Sequence, residues 1–166
     1  MISSQKLSLL AALICILLYG TSLYFEYNMN LMPCALCVIQ RSFVILLGAC
    51  FILSALHNCQ HRRGWQVYSA ITCFWSIGGI LTSARHIWLQ HHPALAANTN
   101  CLPAIKYMLQ HFSLSKTFHL ILSNSGGCAD ITWHFLGLTM PEWLLIFFIG
   151  FFLVSLFILL RPSDTP

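Results

Sequence analysis

Long apolar stretches alternate with polar segments along the chain. The apolar stretches cover residues 7–24, 38–56, 67–88 and 143–160. Each is near the ~20 residues that an α-helix needs to cross about 30 Å of hydrocarbon. The third is the least regular, since its apolar run weakens after Leu81, but Trp88 supplies an interfacial anchor. The pattern predicts an all-α integral membrane fold, a bundle of four transmembrane helices that forms one domain over residues 1–166.

The composition fits a bilayer better than water. Only 7% of the 166 residues are charged and 58% are hydrophobic, whereas soluble domains carry roughly 25% charged residues. The net charge is +4, but no run of Lys or Arg is dense enough to follow a phosphate backbone. We therefore expect the lipid bilayer, and no nucleic acid, as a partner.

The basic residues predict which end of the bundle faces the cytoplasm. Four spans place both termini on one side, together with the loop 57–66. That side carries four basic residues, Lys6, Arg62, Arg63 and Arg161. By the positive-inside rule it is cytoplasmic. Segments 25–37 and 89–142 then face outward, and the second has apolar pieces suited to short interfacial helices.

The first stretch has an alternative interpretation as a cleaved signal peptide. Lys6 precedes its apolar core, and the small residues Gly20 to Ser22 follow it. The core is long and no A-x-A-like site follows, which favours a retained helix. Cleavage would leave the rest of the topology unchanged.

The eight cysteines divide between the two sides of the membrane and its interior. Cys34, Cys37, Cys101 and Cys128 belong to the outward segments. Disulfides persist in oxidising compartments and are rare in the cytosol, so these four are the candidates for redox chemistry. We expect the other four to be packing residues within the membrane (Cys15, Cys50 and Cys73) and a reduced cytosolic thiol (Cys59).

The segment Pro33-Cys34-Ala35-Leu36-Cys37 opens directly into the second apolar stretch. Unpaired N–H groups and the positive end of a helix stabilise a thiolate there, which makes such a cysteine a good leaving group and electron donor. Arg41 follows Cys37 by one helical turn and can share its face. An ionisable residue just inside a membrane is by default a functional candidate.

Two other uses of this CxxC motif are open at this point. It can be a structural staple or half of a zinc site, but zinc needs two further soft ligands. No second CxxC exists, so we expect no resident metal. Four outward residues are nevertheless capable of completing a site, namely Cys101, Cys128, His91 and His92.

Cys101 and Cys128 enclose a segment with Pro103 near its start and Ser125-Gly126-Gly127 near its end. These residues suit an exposed loop in which a disulfide is accessible to a macromolecular partner. Taken alone, such a pair is a staple that stabilises the loop by roughly 3 kcal/mol. Two outward pairs together favour stepwise thiol–disulfide exchange, which requires two communicating dithiols.

Three motifs are more specific together than any one of them alone. They are Pro33-Cys34-Ala35-Leu36-Cys37-x-x-x-Arg41, Ser125-Gly126-Gly127-Cys128-Ala129 and Phe135-Leu136-Gly137-Leu138-x-Met140-Pro141-x-Trp143. In this combination the chain resembles the DsbB family of disulfide bond formation proteins over most of its length. The resemblance implies a multi-pass protein of the bacterial inner membrane. It would reoxidise a DsbA-like periplasmic thiol oxidase and pass the electrons to a membrane quinone, either ubiquinone or menaquinone.

The resemblance also implies a role for each site residue. The DsbA-like partner attacks the Cys101–Cys128 disulfide, with Cys101 as the mixed-disulfide partner, and the electrons then move to the Cys34–Cys37 pair. Cys37 faces the quinone ring, while Cys34 exchanges with the loop pair. Arg41 assists the quinone, since a cation stabilises both the Cys37 thiolate and negative charge on a quinone oxygen.

Other positions match the family less closely. The family histidine near the outer end of the third span has three candidates, His86, His91 and His92, and we expect His91 to contact the quinone; polar anchoring at the interface is the alternative for each. Gln40 stands where family members often carry an acidic residue, which leaves the role of that carboxylate in proton balance open. Residues 102–124 show little recognisable pattern.

Two competing functions are compatible with the same cysteines. A vitamin K epoxide reductase-like enzyme also combines a CxxC at a membrane helix with a loop pair, but the motif around Met140-Pro141-x-Trp143 argues against it. The other is a non-catalytic, metal-binding membrane assembly factor. Bound metal without quinone reduction would identify that class.

Overall fold

Four long helices account for most of the described chain. The computed structural model describes residues 4–30, 33–57, 62–92 and 134–160, together with residue 113. The helices are α1 (Ser4–Asn28), α2 (Ala35–His57), α3 (Arg62–His91) and α4 (Met140–Leu160). All four are long and apolar enough to cross a bilayer, and α3 is the least apolar of them. The predicted all-α membrane bundle is confirmed.

The helices extend beyond the apolar stretches that predicted them. The third apolar stretch predicts a span over 67–88, whereas α3 begins at Arg62 and ends at His91. Hydropathy marks the part of a helix that lies in hydrocarbon, but backbone hydrogen bonding continues into the polar interface. Hydropathy therefore predicts the helix ends poorly, and the functional residues lie near those ends.

The helices pack in chain order. α1 lies against α2, α2 against α3 and α3 against α4, while α1 and α4 barely touch. At one end of the bundle the Gln5 side chain of α1 donates to the Ala55 carbonyl oxygen of α2 over 3.2 Å. At the same end, His57 of α2 contacts the Tyr68 hydroxyl of α3. The opposite end therefore carries the end of α1 and the start of α2.

The core in the middle of the bundle consists of aromatic rings set against small residues. Phe51 of α2 and Phe151 of α4 pack with ring centroids 5.9 Å apart. Ala11, Ala12 and Cys15 of α1 complete this cluster, and Cys15 is only 2% exposed. The deeply buried Cys15 is thus a packing residue, while Cys50 and Cys73 are half-buried.

Two consecutive glycines let α3 fit between its neighbours. A Cβ atom at Gly78 would lie 2.8 Å from the Phe43 ring of α2, and one at Gly79 would lie no more than 2.7 Å from three ring atoms of Phe148 of α4. Real Cβ atoms essentially never come that close. The missing side chains at these two positions therefore set the separation of α3 from both neighbours.

Apolar and polar residues are distributed as expected for a protein dissolved in lipid. Large aliphatic side chains point outward along all four helices, for example Leu17 (60% exposed), Leu56, Leu81 and Leu153. Small polar side chains are buried instead, and four of them follow one face of α3, namely Ser69, Thr72, Ser76 and Ser83. Small and hydroxyl-bearing residues at helix interfaces are typical of membrane bundles, because lipid already solvates the aliphatic surface.

A short antiparallel pair, absent from the predicted elements, precedes α4. β1 (His134–Phe135) pairs with β2 (Leu138–Thr139). Leu136 and Gly137 join them with φ angles of 52° and 81°, as a type I′ turn requires at both central positions. The hairpin therefore accounts for Gly137 in the sequence motif.

The hairpin is fastened to the beginning of α4. Thr139 caps the helix, and its N–H donates to the Glu142 carboxylate over 2.6 Å, which is the reciprocal bond of a capping box. The Trp143 indole N–H donates to the Phe135 carbonyl oxygen over 3.1 Å. The Thr139 hydroxyl also lies 3.1 Å from the Gln90 amide oxygen, near the end of α3. The motif from Phe135 to Trp143 is thus a structural joint between α3 and α4.

Candidate functional site

The CxxC motif forms the first turn of α2. The Cys34 carbonyl oxygen accepts the first intrahelical hydrogen bond, from the Val38 N–H, so Cys34 occupies the N-cap position. Its sulfur accepts a hydrogen bond from the Cys37 N–H over 3.4 Å, as N-cap side chains do. A sulfur held there faces unpaired N–H groups and the positive helix end, which stabilise a thiolate. The predicted placement of this motif at a helix start is therefore observed.

The two sulfurs of the motif are close enough to form a disulfide bond with each other after a small side-chain rotation. The Sγ atoms of Cys34 and Cys37 are 3.1 Å apart, and both residues are half-buried. Leu36 and Leu89 pack together beside them and close one side of the site with apolar surface. The pair is thus partly accessible and partly shielded.

A histidine of α3 lies beside the cysteines. The Nε2 atom of His86 is 3.8 Å from the Cys34 sulfur, and the residue is only 3% exposed. His91, which was expected to contact the quinone, is exposed, and its Nδ1 atom lies 2.9 Å from the Ile87 carbonyl oxygen one turn back. His91 is five residues after His86, about 140° further round the helix. The structure therefore brings His86 to the cysteine pair and leaves His91 on the outer surface; the quinone contact expected of His91 stays a prediction.

Arg41 is held by the end of α1. Its guanidinium forms an ion pair with the Glu26 carboxylate and donates to the Ser22 carbonyl oxygen over 3.2 Å. The two side chains are 20% and 30% exposed. Arg41 was among the predicted site residues, whereas Glu26 was not. An acidic residue in the last turn of a membrane helix, in a chain with only four acidic residues, was the signal that could have found it.

A buried polar contact connects α2 and α3 near the cysteines. The Gln40 amide N–H donates to the Ser83 hydroxyl over 3.1 Å, and both residues are 0% exposed. Gln40 follows Cys37 by three residues, and Ser83 precedes His86 by three, so each lies one turn from a site residue. This hydrogen bond fixes the register of the two helices that carry the cysteines and the histidine.

The remaining predicted site residues are Cys101 and Cys128. Both lie outside the described residues. Their exchange with the Cys34–Cys37 pair therefore stays a prediction. Within the described part of the chain, the site consists of the CxxC motif, His86, and the Arg41–Glu26 ion pair.

Comparison with known proteins identifies the group to which this bundle belongs. The profile of the family described as Disulfide bond formation protein DsbB matches residues 4–158. Disulfide bond formation protein B of Stutzerimonas stutzeri is 38% identical over 159 residues, covering 96% of each chain. The corresponding protein of Methylococcus capsulatus is 37% identical over 148 residues, covering 89% of each. Disulfide bond formation protein B 1 of Pseudomonas aeruginosa is 35% identical over 161 residues, covering 97% of this chain and 98% of its own.

The family match over residues 4–158 includes the CxxC motif, the ion pair, His86 and all but the last two residues of α4. Of the two enzyme families that the cysteine pattern left open, the matches favour the one that the three motifs indicated. With its four apolar helices and its cysteine pair at a helix start, the chain is an oxidoreductase of disulfide bond formation and belongs to the DsbB family.

Proposed function

We propose that this protein transfers electrons from a DsbA-like periplasmic thiol oxidase to a membrane quinone. The observation that carries the proposal is the Cys34–Cys37 pair, with sulfurs 3.1 Å apart at the first turn of an apolar helix. Such a pair is within reach of an aqueous protein on one side and of a lipid-soluble acceptor on the other. The proposed setting is the bacterial inner membrane, with both termini cytoplasmic and the cysteines periplasmic.

The charges of the described helices support this orientation. Lys6 lies near the start of α1 and Arg63 near the start of α3, at the end of the bundle opposite the CxxC motif. The positive-inside rule assigns that basic end to the cytoplasm. The cysteines then face the compartment in which disulfides persist.

The first proposed step is thiol–disulfide exchange. The dithiol of the partner reduces the Cys101–Cys128 disulfide through a mixed disulfide at Cys101, and the partner leaves with its own disulfide formed. A thiolate of the loop pair then attacks Cys34, and Cys37 leaves as a thiolate. The second loop thiolate attacks its partner in this mixed disulfide, which forms the Cys101–Cys128 disulfide again and releases the Cys34 thiolate. Exchange moves one disulfide bond from this protein to the partner and leaves two electrons and two protons on the CxxC side.

The second proposed step oxidises the CxxC pair. Cys34 and Cys37 give up two electrons and two protons, their disulfide forms again, and the quinone becomes a quinol. Quinone supplies the two-electron acceptor, which amino-acid side chains lack. Arg41 stabilises negative charge on a quinone oxygen, and Glu26 holds the guanidinium in place. The His86 imidazole, next to the Cys34 sulfur, is placed to accept or donate a proton.

Anaerobic quinone reduction by the detergent-purified protein tests this proposal. A reduced thioredoxin-fold dithiol protein serves as donor, and quinone absorbance is followed with the wild type and with the Cys34→Ser/Cys37→Ser variant. We expect turnover that disappears in the variant. A Cys50→Ser/Cys73→Ser variant, which removes two half-buried thiols within the spans, is the matched control and should turn over normally. Undiminished turnover without the CxxC pair would refute the pathway.

A further inference from the structure

We propose that the reduced CxxC pair and His86 form a site that captures a thiophilic cation such as Zn²⁺, and that capture blocks disulfide exchange. Two sulfurs and one imidazole nitrogen converge at this point of the bundle. The ligand atoms of Cys34, Cys37 and His86 all lie within 4.8 Å of one another. Two thiolates and one imidazole, with a water in the fourth position, match the donor set of three-ligand zinc sites.

The distances are close to those that a tetrahedral zinc ion requires. Zn–S bonds of about 2.3 Å and Zn–N bonds of about 2.0 Å imply S···S and S···N separations of about 3.8 and 3.6 Å. The observed Cys34–Cys37 separation is 3.1 Å, and the Cys34–His86 separation is 3.8 Å. The third pair, the Cys37 sulfur and the His86 ring nitrogen, lies within 4.8 Å. Side-chain rotation that opens the sulfur pair by less than 1 Å and sets the Cys37–His86 separation at about 3.6 Å would therefore seat the ion.

Charge and surroundings favour the same occupant. Two thiolates and a neutral imidazole carry a charge of −2, which a divalent cation cancels, so the occupied site would be neutral beside the apolar Leu36–Leu89 cluster. Binding releases the thiol protons that are still present. The three ligands come from the N-cap of α2, its first turn and a buried position on α3, all of which the bundle holds in place.

The site exists in only one redox state. A disulfide removes both thiolates, and the thiolate is the metal ligand. Zn²⁺ therefore competes with oxidation of the pair. A bound ion occupies the sulfur lone pairs that would attack or leave, so it stalls the protein in its reduced form. This is a reversible inhibitory site and differs from a resident structural zinc.

Direct binding measurements test the site without any quinone or partner. The full-length, detergent-solubilised protein carries Cys101→Ser and Cys128→Ser, which removes the other outward cysteine pair. Zn²⁺ binding is measured by competition with a chromophoric chelator, first after reduction and then after oxidation of the CxxC. We expect one equivalent bound by the reduced protein, and its loss on oxidation. Equal binding in both states would overturn the proposal.

Variants of the third ligand sharpen the assignment. His86→Ala should weaken Zn²⁺ binding at least tenfold, because loss of outer-shell partners alone typically costs about 10–100-fold. His92→Ala is the matched control, since His92 is exposed one turn beyond Trp88, and it should bind like the parent. Unchanged affinity in His86→Ala would remove His86 from the site and refute the proposal.

A fold control keeps the test decisive. If circular dichroism shows that His86→Ala has lost its helices, Cys34→Ser replaces it, and this variant must likewise weaken binding at least tenfold. Retained affinity in Cys34→Ser would refute the site. Since the assay contains no electron acceptor, failure of the proposed quinone reaction would leave these results standing, and loss of zinc binding would leave that reaction untouched.

Discussion

The middle of the bundle and its cysteine-bearing end are held together by different kinds of contact. In the middle, Phe43 and Phe148 fill the space left by Gly78 and Gly79, and no polar group is involved in that fit. At the cysteine end, the Arg41–Glu26 ion pair and the Gln40–Ser83 hydrogen bond connect three helices. The middle is specified by shape, whereas the end is specified by charge and hydrogen bonding.

The two regions differ in which property of the protein a substitution should change, the free energy of unfolding or the reactivity of the site. Close packing of rings on glycine backbones tolerates almost no added volume, so changes there act on the free energy of unfolding. The Arg41–Glu26 ion pair at the cysteine end is only partly buried, so changes to it act mainly on charge and reactivity. Substitutions at the glycines and at the ion pair should therefore be distinguishable by the quantity they alter.

The largest expected effect concerns the charged end. Arg41→Ala should lower kcat/KM for quinone by about 100-fold, since removing one preorganised donor from a developing anion typically costs 10²–10³-fold. The apparent KM for quinone should rise more than the KM for the protein dithiol, and steady-state assays with each substrate varied in turn measure both. Glu26→Gln keeps the guanidinium and removes its partner, so we expect a smaller change. Equal increases in the two KM values would count against a quinone site at Arg41.

The next effect concerns the shape-specified middle. Gly79→Ala should destabilise the bundle by about 1–3 kcal/mol, the usual cost of overpacking, because the new methyl group meets the Phe148 ring. Thermal unfolding of the detergent-solubilised protein measures the loss. Gly150→Ala is the control, since a Cβ atom there meets nothing within 4 Å, and it should leave stability unchanged or slightly raised. Equal destabilisation by both substitutions would show that the packing at Gly79 is not specific.

The smallest effect concerns the interhelical hydrogen bond. A double-mutant cycle of Gln40→Ala and Ser83→Ala should give a coupling energy of about 0.6 kcal/mol, the average for such bonds in membrane bundles. Denaturant titrations of the four proteins supply the numbers. Ser54→Ala is the control partner, because the Ser54 hydroxyl donates within α2 to Phe51, and it should not couple to Gln40. An equally large coupling energy between Gln40→Ala and Ser54→Ala would mean that the coupling does not come from the Gln40–Ser83 hydrogen bond.

The sequence was sufficient for the architecture because hydropathy and length alone decide which segments cross a membrane. It also placed the CxxC motif at a helix start, where the Cys34 sulfur now accepts the Cys37 N–H. It could not decide between His86 and His91, because both lie near the same end of α3 and the choice depends on the rotation of α3 relative to α2. That rotation is fixed by contacts such as Gly78 with Phe43, which join residues far apart in the chain.

Two other features of the structure, an ion pair and a hairpin, were also not predicted from the sequence. Glu26 and Arg41 are separated by a turn whose path the sequence does not specify, so their ion pair was not foreseen. The hairpin from His134 to Thr139 is too short for an alternating pattern to be visible, although Gly137 and the Thr139 to Glu142 spacing carried its turn and its capping box. The motif from Phe135 to Trp143, which contributed to the family resemblance, thus encodes a local structure, the hairpin and the cap of α4.

That hairpin also limits the freedom of the loop cysteine nearest to it. His134 is paired with Thr139 in the hairpin, and Cys128 precedes His134 by six residues, so the chain length keeps the Cα atoms of Cys128 and His134 within about 22 Å of each other. Gln90, which contacts the hairpin through Thr139, is one turn from His86. In the proposed exchange, a thiol on so short a tether would meet the CxxC pair at an effective concentration on the order of millimolar. Lengthening the tether between Cys128 and His134 with flexible residues would dilute that encounter without altering any group that reacts.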